Sequence, residues 1–103
     1  DISDTKSKID SNTICVYTSY PNYPYGTVDP IEKFEDMQKR DIPVHLDMCL
    51  GGFVVPFLKK SDGSPYFVVP EGVTTISLDC HKYGLSAKGG SILLFKSEKL
   101  RRM

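Results

Sequence analysis

Pro43-Val44-His45-Leu46-Asp47-Met48-Cys49-Leu50-Gly51-Gly52-Phe53 joins the end of one structural unit to the start of the next. Val44-His45-Leu46-Asp47 reads as a strand, and Gly51-Gly52 breaks the chain behind it. Upstream, Asp29-Pro30 opens a predicted helix, because Asp is a good N-cap and Pro suits the first helical position. Ile31, Phe34 and Met37 follow at a spacing of three and leave Glu32, Asp36, Lys39 and Arg40 for solvent. Ile42-Pro43 ends that helix. Before it, Ile14-Cys15-Val16-Tyr17-Thr18 is apolar, β-branched and aromatic, a buried strand by composition. It runs into a loop, Ser19-Tyr20-Pro21-Asn22-Tyr23-Pro24-Tyr25-Gly26, which two prolines and a glycine keep irregular. Strand, helix, strand implies a parallel pair with a right-handed crossover.

Downstream, Phe53 begins a short apolar segment of no assigned type, and residues 59–65 make a polar turn. Val73-Thr74-Thr75-Ile76-Ser77-Leu78, bounded by Gly72, is a third strand. Ser91-Ile92-Leu93-Leu94-Phe95, after Gly89-Gly90, is a fourth, and its short link allows an antiparallel return. Residues 97–103 are charged and begin a helix. The whole is an α/β sheet, in which ligands sit beyond the carboxyl ends of the strands. The tyrosine-rich loop, Asp47 and His81-Lys82 all lie there.

Thirteen basic and thirteen acidic side chains in 103 residues give a net charge of zero. That balance offers no electrostatic pull toward nucleic acid or an anionic membrane. The apolar share, 40%, suits a globular chain with one modest core. No apolar run approaches the ~18–20 residues that span a bilayer. Residues 1–12 form a polar lead-in without the apolar middle of a secretory signal. Cys15, Cys49 and Cys80 are odd in number and form no C-x-x-C pair, which fits a reducing compartment. Each is expected to be a small buried hydrophobe.

Side chains alternate faces along a strand, so His45, Asp47 and, with continued extension, Cys49 share one face. Two sites can use them. A pyridine-based cofactor needs a carboxylate against its ring nitrogen. A metal would take these N, O and S ligands, with Cys80 or His81 completing the set. A core histidine, a capping or surface aspartate and a buried cysteine is the plain alternative. Lys82 is equally open: most lysines are solvated, whereas a Schiff-base lysine must be partly desolvated to be partly neutral. Lys88, in Ala87-Lys88-Gly89-Gly90-Ser91, is its rival.

In order along the chain, the loop 20–29, the segment 43–53, Gly72-Val73-Thr74-Thr75-Ile76-Ser77-Leu78-Asp79-Cys80-His81-Lys82-Tyr83-Gly84 and Lys88-Gly89-Gly90-Ser91 together resemble the sphingosine-1-phosphate lyase family. These are pyridoxal-phosphate enzymes within the wider group II decarboxylase relatives. H-x-D-x-C-L-G-G-F and D-x-H-K-Y-G at this separation are the specific part. The resemblance implies part of the large domain of a fold type I enzyme, mostly parallel with an antiparallel last strand. Residues 13–103 would be that partial cofactor domain. It implies Lys82 as the Schiff-base lysine, Asp47 against the pyridinium nitrogen, His81 near the phosphate, Cys49 against the ring and His45 in support. Among the loop tyrosines, Tyr23 is favoured over Tyr20 and Tyr25 to face the substrate. Leu46, Met48 and Cys80 depart from the smaller or more polar residues usual in the family.

The reaction so implied is metal-free retro-aldol cleavage of a phosphorylated sphingoid base to a long-chain aldehyde and phosphoethanolamine. An amino-acid decarboxylase and a non-catalytic structural fragment are the alternatives. Family members are longer, carrying an upstream glycine-rich phosphate loop, a ring-stacking histidine and a smaller C-terminal domain. They work as homodimers with the site at the interface. This chain alone is therefore expected to have little or no lyase activity. The resemblance places the longer protein in the cytoplasm, or on the cytosolic face of the endoplasmic reticulum if it carries an anchor.

Overall fold

A computed structural model describes residues 1–102; Met103, in the last charged segment, lies outside the described residues. Four strands form one sheet in chain order: β1 (Val16–Ser19), β2 (Val44–Asp47), β3 (Thr75–Asp79) and β4 (Ser91–Phe95). The first three run parallel and β4 returns antiparallel to β3, as the α/β reading expected. Strands β2 and β4 keep their predicted bounds, whereas β1 and β3 begin two residues later. Ile14, expected inside the first strand, is exposed.

Register decides which side chains meet. Tyr17 stands beside His45 and Ser19 beside Asp47 across the first pair; His45 stands beside Thr75 and Asp47 beside Ser77 across the second. With period two, these residues share one polar face. Val16, Thr18, Val44 and Leu46 turn to the other face and are buried, Leu46 completely. That face divides into two packed clusters. Val16, Phe34, Met37, Ile42 and Val44 make one; Ile31, Leu46, Met48, Val55 and Val73 make the other. Each such side chain contributes roughly 1.5–3 kcal/mol by leaving water.

The crossover between β1 and β2 is helical, but its ten residues, Ile31–Arg40, wind as successive 3₁₀ turns. The sequence shows why. Its buried residues recur only at i, i+3 and i+6, the three-residue period of a 3₁₀ helix, and the i+4 and i+7 positions, Glu35 and Gln38, are polar. Asp29 does not cap it. Pro30 occupies the N-cap with no side-chain bond, and the Asp29 carboxylate instead accepts from the Ser19 N–H at 2.7 Å. The Asp29 N–H donates to Ser19 O at 3.1 Å, so two bonds clasp the tyrosine-rich loop shut at the end of β1.

Residues 51–57 make two single 3₁₀ turns, Gly51–Phe53 and Val55–Phe57. The polar opening residues carry a short helix, α1 (Ile2–Ser7), whose N-cap Asp1 accepts from the Ser3 and Asp4 N–H groups. Ile2 and Ile9 pack this segment against the first cluster. The charged end forms α2 (Glu98–Arg101), capped by Ser97. No helix among the described residues is long and apolar enough to cross a membrane.

Candidate active site

Asp47 is the last residue of β2, and its half-buried carboxylate gathers three donors. Oδ1 accepts from the Cys49 N–H at 2.9 Å and from the Ser77 hydroxyl at 3.2 Å, and Oδ2 accepts from the Tyr17 hydroxyl at 2.9 Å. Burial pushes this carboxyl up, but the Cys49 N–H, the Tyr17 hydroxyl, the Cys49 side chain and the Ser77 hydroxyl together outweigh it and hold it below the ordinary aspartate value. Tyr17 responds in the opposite sense: desolvation of its hydroxyl, and then the bond to Asp47, push it up to about 12.

The same network defines the state of His45. A carboxylate only accepts, so the Ser77 proton goes to Asp47 and Ser77 Oγ is left to accept from His45 Nε2–H, 3.2 Å away. Nδ1 then accepts from the Thr75 hydroxyl at 2.8 Å. Desolvation lowers the His45 pKa, opposed in part by Asp47, which agrees with this neutral form. The Tyr17 ring lies against the His45 ring, with centroids 4.8 Å apart.

Lys82 follows β3 in the turn 79–86 and reaches the same place. Its Nζ lies 2.8 Å from Asp79 Oδ2. Cys49 meets Asp47 through its backbone N–H, and its side chain helps to lower Asp47 and to raise Lys82. The expected partly neutral lysine is not what the geometry provides: Asp79 first, then Cys49, raise the Lys82 pKa above its ordinary value. Asp79 is itself held low by Lys82 and by the Ser91 hydroxyl, which donates to it at 2.6 Å. His81 Nδ1 donates to the Gly90 carbonyl at 2.8 Å, because a carbonyl can only accept. Its Nε2 is 4.0 Å from Asp79.

The loop tyrosines separate. Tyr20 stacks on Phe67 with centroids 4.5 Å apart and belongs to the second cluster. Tyr25 is exposed. Tyr23 lines a groove of about 430 Å³ with Asn22, Leu50, Val54 and Tyr83, the residue after Lys82. Gly51 and Gly52 have packing reasons: a Cβ on Gly51 would overlap the Tyr20 carbonyl oxygen, and one on Gly52 the Leu78 side chain. Lys88 lies in an exposed turn. Of the cysteines, Cys15 is exposed and the other two are half-buried, so none is the fully buried hydrophobe expected.

The fold places His45, Asp47 and Cys49 at the end of β2 and His81 and Lys82 just after the adjacent β3, and adds Tyr17, Ser77, Thr75 and Asp79 as their hydrogen-bond and ion-pair partners. Asp79 stood inside the D-x-H-K-Y-G motif, three residues before the lysine. Tyr17 and Ser77 carried no signal of their own, since only the strand register sets them beside His45 and Asp47.

Comparison with known proteins gives the same direction. No protein-family model matches the chain. Sphingosine-1-phosphate lyase of Oryza sativa subsp. japonica is 45% identical over 105 residues, covering 99% of this chain and 20% of that protein. A solved sphingosine-1-phosphate lyase of Burkholderia pseudomallei superposes with a TM-score of 0.86 at 38% identity, covering 99% of this chain and 24% of that one. Glutamate decarboxylase of Lactobacillus brevis, at 20% identity and a TM-score of 0.79, shares the fold. The chain spans about one fifth of the length of the curated relatives it matches. By sequence along its whole length and by fold, it belongs to the sphingosine-1-phosphate lyase family.

Proposed function

We propose that residues 13–103 are part of the large domain of a pyridoxal-phosphate-dependent lyase. Its reaction would cleave the C2–C3 bond of a phosphorylated 2-amino-3-hydroxy long-chain base to a long-chain aldehyde and phosphoethanolamine. The observation that carries this is the placement of Asp47 and of the Lys82–Asp79 pair at the carboxyl ends of two adjacent parallel strands.

The donor set fits the cofactor. Asp47 is held ionised, and Oδ2 has one protein donor, leaving a lone pair for the N–H of a protonated ring nitrogen. When bound, pyridoxal phosphate supplies an electron sink for the bond being broken. Asp47 would keep the ring nitrogen protonated, and Ser77 and His45 hold the carboxylate in place. Lys82 would hold the cofactor covalently through Nζ, steered by Asp79. His81, with Nδ1 committed to Gly90 and Nε2 4.0 Å from Asp79, would lie beside the cofactor phosphate. Cys49 would flank the ring, and Tyr23, on its groove, would face the substrate. The longer protein would work as a homodimer in the cytoplasm, or on the cytosolic face of the endoplasmic reticulum where an anchor is present.

Absorbance and turnover test this. The longer protein that contains this chain, mixed with pyridoxal phosphate, is expected to turn yellow and to release aldehyde from a phosphorylated sphingoid base. Lys82→Ala is expected to lose both the colour and the turnover. Colour that survives Lys82→Ala but disappears in Lys88→Ala would transfer the role to Lys88.

A further inference from the structure

We propose that Tyr17 is a positioning residue for Asp47: its hydroxyl fixes Oδ2 so that the carboxylate offers its remaining lone pair to the cofactor ring. The proposal rests on the reading of Asp47 as the partner of the ring nitrogen. Its own basis is geometric. Tyr17 comes from β1, stands in register with His45 rather than Asp47, and still turns its hydroxyl to Oδ2 at 2.9 Å. The residue is 63% exposed overall, so core packing does not account for its placement.

The two oxygens of Asp47 are then divided. Oδ1 is occupied by the Cys49 N–H and the Ser77 hydroxyl, and Oδ2 by Tyr17 alone. A carboxylate with donors only on Oδ1 can rotate about its last bond and present either lone pair of Oδ2. A donor from the neighbouring strand removes that freedom and selects the other lone pair. Hydrogen bonds to the charged form also favour that form. The titratable groups facing Asp47 are Tyr17 from β1, His45 from its own strand and Cys49 from the turn behind it, while Lys82 and Asp79 pair with each other at the end of β3. With His45 neutral, Tyr17 contributes most among the side chains that stabilise the charge, ahead of the Cys49 side chain and Ser77.

Tyr17→Phe tests this, because it keeps the ring against His45 and removes only the hydroxyl. The carboxylate of Asp47 is followed by ¹³C NMR through a pH titration of the cofactor-free protein, and pyridoxal phosphate affinity is measured alongside. Asp47 is expected to titrate at higher pH in Tyr17→Phe, and cofactor affinity to fall on the order of tenfold, as for loss of one hydrogen bond to a charged group. In an Asp47→Asn background, Tyr17→Phe is expected to cost little more, since it acts through Asp47. An unchanged Asp47 titration, or an undiminished Tyr17→Phe effect beside Asp47→Asn, would overturn the proposal. Should the longer wild-type protein that contains this chain take up no pyridoxal phosphate, the functional reading fails separately. The Asp47 titration still decides whether Tyr17 governs that carboxylate.

Discussion

Lys82 Nζ lies 2.8 Å from Asp79 Oδ2, so the lysine after β3 reaches back to the carboxylate that ends the strand. Both groups are half-buried, and each shifts the other: Lys82 is raised and Asp79 lowered. The pair keeps Nζ charged and aimed, and it makes capture of an aldehyde dependent on losing that proton.

A consequence for pH follows. Because the Lys82 pKa is raised, the neutral amine is scarce at pH 7 and increases as pH rises. The rate at which cofactor-free protein captures pyridoxal phosphate, read from the growth of the yellow absorbance, is expected to climb with pH. Asp79→Asn removes the first cause of the shift. It is expected to move the whole rate profile to lower pH; an unmoved profile would show that Asp79 does not control Lys82.

Asp47 links the site to stability. Its folded pKa is depressed, so the stabilisation is present above the unfolded value of about 3.9 and lost as pH falls through the lower, folded value. Chemical denaturation of wild type and Asp47→Asn across that acidic window is expected to show a stability gap that narrows with falling pH. A gap constant with pH would mean that the hydrogen bonds from Tyr17, Ser77 and Cys49 do not stabilise the charged form.

The sheet itself depends on Leu46, the fully buried residue between His45 and Asp47. Leu46→Ala is expected to cost about 2–5 kcal/mol in denaturant unfolding. Because the two site residues flank it, cofactor uptake is expected to fall with stability and to recover at lower temperature.

Two loop tyrosines separate packing from function. Tyr20→Ala removes a ring stacked on Phe67 and is expected to lower stability by roughly 1–3 kcal/mol, less than for a fully buried aromatic. Tyr23→Phe removes an exposed hydroxyl at the groove and is expected to leave unfolding unchanged while altering kcat/KM for the phosphorylated base. Equal stability losses in the two variants would contradict this division.

Gly51→Ala examines the turn behind Asp47. The added Cβ would meet the Tyr20 carbonyl oxygen, a backbone atom with little room to yield. A loss of about 1–3 kcal/mol is expected. The bond from the Cys49 N–H to Asp47, two residues before this turn, is expected to loosen with it, read as weaker cofactor binding.

Much of this protein is legible along the chain. The alternation in Val44-His45-Leu46-Asp47, the apolar run of β4 and the prolines around the tyrosine-rich loop act locally, through the two-residue period of a strand and the backbone limits of proline. The motifs containing Asp47 and Lys82 also announce themselves, because their chemistry needs those residue types. The three-residue spacing of Ile31, Phe34 and Met37 marked a helix, and the missing i+4 partners gave it a tighter winding than expected. Asp29 resembled a cap, yet the clasp with Ser19 across the loop took its carboxylate instead. Tyr17 and Ser77 became part of the site only in the folded sheet. Register between strands brings residue 17 to residue 47 and residue 47 to residue 77, across thirty positions each time. No local pattern encodes that register. It is decided when the apolar faces of three strands are buried together and their polar faces are left to find one another.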